Sequence, residues 1–155
     1  MKILVISDTH RNLEKMTLAV EKEKPDLLLH LGDHDADADA LSRQMPNLSI
    51  CRVRGNCDSF SDSPTVYEHS FQGIKIFATH GHKYNVKTGL LSLQYAAMER
   101  GANVALFGHT HCAYCQEHNG LWMMNPGACG GYRASYGLVE LENGRVNCRI
   151  MEDNL

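Results

Sequence analysis

Seven side chains able to hold a metal stand just beyond short apolar runs of this chain. Asp8 and His10 follow Ile3–Ile6, Asp33 follows Leu27–Leu31, and Asn56 follows Ile50–Val53. His80 follows Ile74–Thr79, while His109 and His111 follow Val104–Phe107. Imidazole is the commonest metal-donating side chain. Residues two apart in an extended segment face the same side, so the spacing predicts that His109 and His111 aim at one spot. Singly, a Gly-Asp or Gly-Asn after a strand is ordinary turn chemistry. Recurrence at five strand ends is what calls for a shared site. Seven donors exceed the four of a tetrahedral zinc. They suit two cations about 3.5–4 Å apart, the spacing of hydrolytic two-metal sites, and a carboxylate can bridge such a pair with its two oxygens. Mixed nitrogen and oxygen donors favour manganese, iron, zinc, nickel or cobalt over magnesium or calcium.

The elements that must position these donors are legible in the apolar pattern. Ile3–Ile6 is a continuous apolar run, as in a strand buried on both faces, Leu27–Leu31 reads as a second buried strand and Ile50–Val53 as a third strand. Between the first two lies an amphipathic segment with Asn12 as cap, Leu13, Met16 and Val20 on one face, and Pro25-Asp26 as its stop. The alternating acids Asp33, Asp35, Asp37 and Asp39 do not make a calcium loop, because Ala38 and Gln44 stand where a glycine and a bidentate glutamate belong. They lead instead into a short helix through Leu41 to Met45, where acids favour the N-terminus. Strands alternating with helices predict a parallel arrangement, whose sites lie beyond the carboxyl ends of the strands.

The second half predicts hairpins turning at Gln72-Gly73, Asn119-Gly120 and Asn143-Gly144. A helix is expected around Leu90, Leu93 and Ala97, closed by Gly101. Asn125-Pro126-Gly127-Ala128-Cys129-Gly130-Gly131 is too glycine-rich for a regular element. The whole reads as one α/β domain over residues 1–155, with two mixed sheets face to face and helices outside.

Composition narrows the function classes. The 155 residues, 43% apolar and 21% charged, suit a globular domain with a sizeable core. A net charge of −3 argues against general nucleic-acid or anionic-membrane binding. The apolar run after Met1-Lys2 is too short for a signal core or a membrane span. The six cysteines are therefore expected to be reduced and the protein cytoplasmic. Cys112 and Cys115 fall on an expected strand, where their odd spacing points them to opposite faces.

In chain order, Asp8-x-His10, Gly32-Asp33, Gly55-Asn56-x-Asp58, His80-Gly81-His82 and Gly108-His109-x-His111 resemble the calcineurin-like metallophosphoesterases. The length, the Gly-Asn-Cys-Asp form and the Asn125-Pro126-Gly127 loop are similar to the small bacterial and archaeal phosphodiesterase branch, to which the retromer-subunit scaffold is also related. The resemblance implies a four-layer α-β-β-α sandwich of two mixed β-sheets flanked by helices. It implies two divalent metals, Mn2+ foremost with Ni2+, Fe2+, Zn2+ and Co2+ as alternatives. Asp8, His10 and His111 would hold one metal, Asn56, His80 and His109 the other, and Asp33 would bridge them. His109 and His111 are thereby divided between two metals. A hydroxide between the metals would attack phosphorus in line with the leaving oxygen.

Many relatives carry a histidine after the asparagine of the third motif, near the leaving group. Here that residue is Cys57, a poor donor. It reads equally as a substrate contact or a small filler. Leaving-group protonation then falls to His82 through a water, or is dispensable for activated or phenolic esters. Asp58 reads as an acceptor orienting a ligand imidazole. The expected activity is hydrolysis of a small phosphate diester. A phosphomonoesterase would share every ligand and want a cation nearby, with Arg54, Lys83 and Arg133 as candidates. A non-catalytic interaction scaffold would instead show an exposed apolar patch, for which Trp122 and Tyr132 are candidates. The natural substrate and the oligomeric state, a homo-oligomer included, are left open.

Overall fold

A computed structural model describes residues 1–152. The strands are β1 (Lys2–Ile6), β2 (Leu27–His30), β3 (Ser49–Arg52), β4 (Val66–Phe71), β5 (Ile74–Thr79), β6 (Val104–Leu106), β7 (Tyr114–His118), β8 (Leu121–Asn125), β9 (Ser135–Glu142) and β10 (Arg145–Glu152). The helices are α1 (Leu13–Glu23), α2 (Ala36–Gln44) and α3 (Leu91–Glu99). One sheet has the order β10-β9-β1-β2-β3 and the other β4-β5-β6-β8-β7. In the first, β1, β2 and β3 run parallel and the β9–β10 hairpin is antiparallel. In the second, β5, β6 and β8 run parallel between the antiparallel edges β4 and β7.

The layers follow from the period of two along a strand. Ile3, Val5, Leu27 and Leu29 point to a core shared with Ile76, Ala78, Val104 and Leu106 of the other sheet. Leu4, Ile6 and Leu28 point the opposite way, onto Met16, Ala19 and Val20 of α1 and Leu41 of α2. Phe77, Ala105 and Met123 likewise meet Leu93 and Ala97 of α3. The central strands β1, β2 and β6 are thus buried on both faces, which is why their sequences run largely apolar rather than alternating. The architecture is the expected four-layer α-β-β-α sandwich of two mixed sheets.

Local chemistry sets the boundaries. Asn12 caps α1 by accepting the Lys15 N–H at 3.3 Å, and Lys24, at φ 48°, closes it in the left-handed region. Asp37 and Asp39 occupy the first turn of α2, where the helix dipole favours negative charge. The three hairpins turn where expected. One expectation is corrected: Cys112 does not lie on a strand. It is exposed ahead of β7, because Thr110 and Cys112 close a small turn of their own through the Thr110 hydroxyl, which bonds the Cys112 N–H at 3.2 Å. All six cysteines are free. Among the described residues, no helix is long and apolar enough to cross a membrane.

Candidate metal centre

The parallel strands of both sheets deliver their following turns to one end of the sandwich, where sites of α/β folds gather. Asp8, His10 and His111 come together there, each offering an atom within 4.8 Å of the others. Asp33, His80 and His109 form a second group of the same tightness. The Asn56 carbonyl oxygen joins this second group, 3.1 Å from His80 Nε2. His109 and His111, which spacing alone aims at one spot and the family resemblance divides between two metals, stand in different groups. The physical reason is the backbone: His109 and His111 have φ of 68° and 59°, so the segment is a left-handed turn and the period of two does not apply. Asp8, His10 and Asp33 are also left-handed. Non-glycine residues in that region cost free energy and concentrate at functional sites, with Asp and His among the types that tolerate it.

Close approach of the ligand turns depends on two glycines. A Cβ on Gly108 would collide with the Ser7 hydroxyl, and one on Gly55 with the Asp33 carboxylate. Glycine at these places lets the β6 turn seat against the β1 turn and the β3 turn against Asp33.

Hydrogen bonds orient the donors and leave acceptors facing one another. Asp8 Oδ2 accepts the Ser7 hydroxyl at 2.6 Å and the His109 N–H at 3.2 Å. Its Oδ1 is fully buried and has no hydrogen-bond donor, although His111 Nε2 lies 3.1 Å away. His80 Nδ1 donates to the Leu31 carbonyl at 2.8 Å, which leaves Nε2 as a lone pair. That lone pair faces Asn56 Oδ1, Asp33 Oδ1 at 3.4 Å and His109 Nδ1 at 3.2 Å. Converging acceptors of this kind, together with an orphaned carboxylate oxygen, fit divalent cations.

The protonation states suit the same occupant. Burial pushes the Asp33 carboxyl up, but the Cys57 N–H, bonded to Oδ1 at 2.9 Å, and nearby His80 outweigh it and hold it below its ordinary value. Burial and then the neighbouring His80 push both His82 and His109 down. Neutral imidazole and ionised carboxylate are the forms that bind metal.

Three expected site residues stand outside the two groups. Asp58 does not orient an imidazole. Its carboxylate instead collects four main-chain N–H groups: Asp33 and Gly55 on Oδ2, at 2.8 and 2.7 Å, and His34 and Asp35 on Oδ1, at 2.8 and 3.2 Å. It is the clamp that holds the Asp33 turn. Cys57 is exposed, with its thiol 3.4 Å from Asn56 Nδ2. Partial desolvation and the Asp33 carboxylate push that thiol up, so it is neutral at pH 7. His82 lies beside the second group, its ring 5.4 Å from His80 and 6.1 Å from His109, with Nδ1 buried and unpartnered.

Residues outside the expected donor set complete the frame. Buried Asn125, at the end of β8, donates to the Gly108 carbonyl and the Thr110 hydroxyl, both at 2.9 Å, and accepts the Gly127 N–H at 2.9 Å. It pins the turn that carries His109. Asn125→Ala is expected to cost about 1–3 kcal/mol of stability by stranding buried polar groups. It should also weaken metal binding about 10–100-fold, as loss of a ligand's support does. Urea unfolding and a metal titration measure the two effects, and unaltered metal binding would refute the pinning role. Buried His30 ties the β1 and β2 turns together through Thr9, at 3.2 Å.

The calcineurin-like phosphoesterase superfamily domain matches residues 1–144. The chain belongs to this superfamily. Among curated relatives of the phosphoesterase, the probable metallophosphoesterase YsnB of Bacillus subtilis is 35% identical over 98% of this chain and 91% of its own. A phosphodiesterase of Methanocaldococcus jannaschii is 27% identical, over 85% of this chain and 86% of its own. Of solved structures, a conserved Streptococcus pneumoniae protein described as a predicted phosphoesterase superposes with a TM-score of 0.80 at 23% identity. That superposition covers 97% of this chain and 88% of the other. Vps29 of Entamoeba histolytica, in complex with zinc, gives 0.78 at 21% identity, over 98% and 99%. The phosphoesterase therefore shares its fold with both, and its family membership makes it a metal-dependent phosphoesterase. A larger cavity of about 890 Å³ lies by Met1, Asp26 and Asn143, at the other end of β1 from the ligand turns.

Proposed function

We propose that this phosphoesterase hydrolyses a phosphate diester at a dinuclear centre, by in-line attack on phosphorus. The observation that carries the reading is the pair of donor groups on adjoining strand ends, Asp8–His10–His111 and Asp33–His80–His109. Asp8, His10 and His111 would hold one cation, Asn56, His80 and His109 the other, and Asp33 would bridge them. Two divalent cations there, Mn2+ foremost, supply a nucleophilic oxygen and neutralise phosphate charge.

The chain's own groups do the rest. Asp58 fixes the Asp33 turn through its four amides, so that carboxylate is placed before substrate arrives. His82 flanks the second group, its ring 5.4 Å from His80. In place of the leaving-group protonation expected of it from the sequence, it is proposed to hydrogen-bond a non-leaving phosphate oxygen. Cys57, as a neutral thiol, adds no charge to the phosphate's seat.

A diester is proposed over a monoester from the relatives, and the cations around the site bear on that choice. Arg54 donates to the Ser61 carbonyl at 3.3 Å, and Arg52 pairs with Asp35 and Asp39. Lys87 is felt by His109, and Lys83 and Arg54 by His82, so cations do stand near the second group, but none is bonded to a donor of either group among the described residues. The relative from M. jannaschii bears the name phosphodiesterase. The free cysteines fit a cytoplasmic setting, proposed with the activity.

The test is a paired assay. Protein stripped with chelator and resupplied with Mn2+ or Mg2+ is given bis(p-nitrophenyl) phosphate and p-nitrophenyl phosphate. Restoration by Mn2+ and faster diester turnover are expected. No hydrolysis with any divalent ion would overturn the enzyme reading, and faster monoester turnover would overturn the diester preference.

A further inference from the structure

A cavity of about 440 Å³ opens between the Asp33 turn and the loop after Asn56, with His34, Ala36, Asp39, Cys57, Phe60 and Asp62 among its walls. None of the seven donors lines it, but two of its wall residues adjoin them. His34 stands edge-on to His10, with ring centroids 5.3 Å apart, and Cys57 follows Asn56. His34 belongs to neither group, yet it is held in the left-handed region at φ 68°, its N–H fixed on Asp58 Oδ1. A strained non-glycine conformation persists only where the surroundings enforce it.

Phe60 is wholly exposed. Leaving such a ring in water forgoes about 1.5–3 kcal/mol of burial. Its loop is nevertheless anchored. Asp58 holds one side, and the Ser61 and Ser63 hydroxyls both bond to buried Asp35, the second at 2.6 Å. Arg52 Nε donates to Ser63 at 2.8 Å from the same base. A fixed base thus presents an apolar ring at the mouth of a polar cavity next to the candidate metal centre.

We infer that this cavity receives the leaving group of the phosphate ester, with His34 as a catalytic residue and Phe60 as a specificity residue. The inference rests on the proposed phosphoesterase reaction. As a hydroxide oxygen bonds to phosphorus, the bond from phosphorus to the leaving oxygen breaks and its electron pair stays on that oxygen. The His34 imidazole N–H donates a hydrogen bond to the charge developing there and keeps its proton. The released alkoxide or phenoxide takes its proton from solvent. The Phe60 ring stacks on the leaving group; Arg52, also in the wall, is paired with Asp35 and Asp39, and the Asp62 carboxylate repels anionic leaving groups. The selected class is an uncharged, planar aromatic leaving group.

The experiment compares p-nitrophenyl methyl phosphate with phenyl methyl phosphate, whose leaving phenol ionises near pH 10 as tyrosine does. His34→Gly suits the left-handed backbone, and His34→Gln keeps an N–H donor. For His34→Gly, kcat on the phenyl ester is expected to fall by about 100-fold, as when one oxyanion donor is removed. The nitrophenyl ester, a better leaving group, should lose much less, and His34→Gln should recover part of the difference. For Phe60→Ala, the Kd of methyl benzylphosphonate, in which CH2 replaces the leaving oxygen, should rise about tenfold by calorimetry. Circular dichroism confirms folding of each variant. Equal losses on both esters would overturn the role of His34, and an unchanged Kd would overturn that of Phe60. If the wild type hydrolyses neither ester, the phosphoesterase reading fails first and the leaving-group pocket with it.

Discussion

Asp33→Asn is expected to lower hydrolysis of bis(p-nitrophenyl) phosphate by about 1,000-fold, or about 4 kcal/mol of barrier. Removing one member of a buried charge pair costs about 3–5 kcal/mol, and here the charge lost would be the one shared by both cations. The fold should survive the change. Asparagine tolerates the left-handed backbone at φ 56°, and its carbonyl oxygen can still accept the Cys57 N–H now bonded at 2.9 Å. Loss of rate would therefore report on charge rather than unfolding. Elemental analysis of the dialysed variant should show fewer than two bound metals per chain. An unchanged rate would refute the bridging role of Asp33.

The second large effect concerns acid stability and belongs to His30. Its ring is wholly buried, and burial pushes it down to about 4 from 6.5, against the partial upward pull of Asp37, Asp58, Asp35 and Asp8. The Gly32 N–H points at Nδ1 at 3.2 Å, so Nε2 carries the proton and donates to the Thr9 hydroxyl. Thr9 in turn donates to Asp37 Oδ2 at 2.6 Å. The neutral ring is the form this relay needs. Above pH 6.5 His30 is neutral in both folded and unfolded chains, and its contribution is complete. Below 6.5 the unfolded chain binds a proton that the native one refuses, so stability falls until the native ring also protonates near 4. The total loss over that window is about 3 kcal/mol. Urea midpoints measured with chelator at pH 7 and pH 4.5 should drop steeply for the wild type and less for His30→Gln. Parallel drops would show that His30 does not carry the acid sensitivity.

His30 and Asp33 differ in how visible they are in the primary structure. Asp33 follows an apolar run and a glycine, a pattern that announces a turn at a strand end. His30 sits inside the apolar stretch of β2, where nothing about its neighbours separates a relay residue from a filler. His34 was hidden for a related reason, and Asn125 was visible as part of a loop while its pinning role was not. His34 follows a conspicuous aspartate in an acidic alternation, and Asn125 opens a loop notable mainly for its glycines. Asp58 was legible as a supporting acceptor, but its partners were not. They are four main-chain amides brought together only when the β2 and β3 turns meet.

What the sequence by itself determined is the set of layers and the inventory of donors. Continuous apolar runs require strands buried on both faces, and a strand's period of two then divides its residues between the inter-sheet core and a helix layer. Glycine-bearing turns after those runs name most of the candidate metal donors. Spacing alone does not group the donors; the family resemblance implied a grouping, and only the tertiary structure supplies its physical reason. His109 and His111, adjacent by spacing, are sent to different groups by a left-handed turn. That conformation is unfavourable in isolation. It is held by contacts with distant residues: Asp8 on the His109 N–H, and Asn125 on the Gly108 carbonyl and the Thr110 hydroxyl. A local pattern cannot encode a backbone state whose stabilising partners lie elsewhere in the chain.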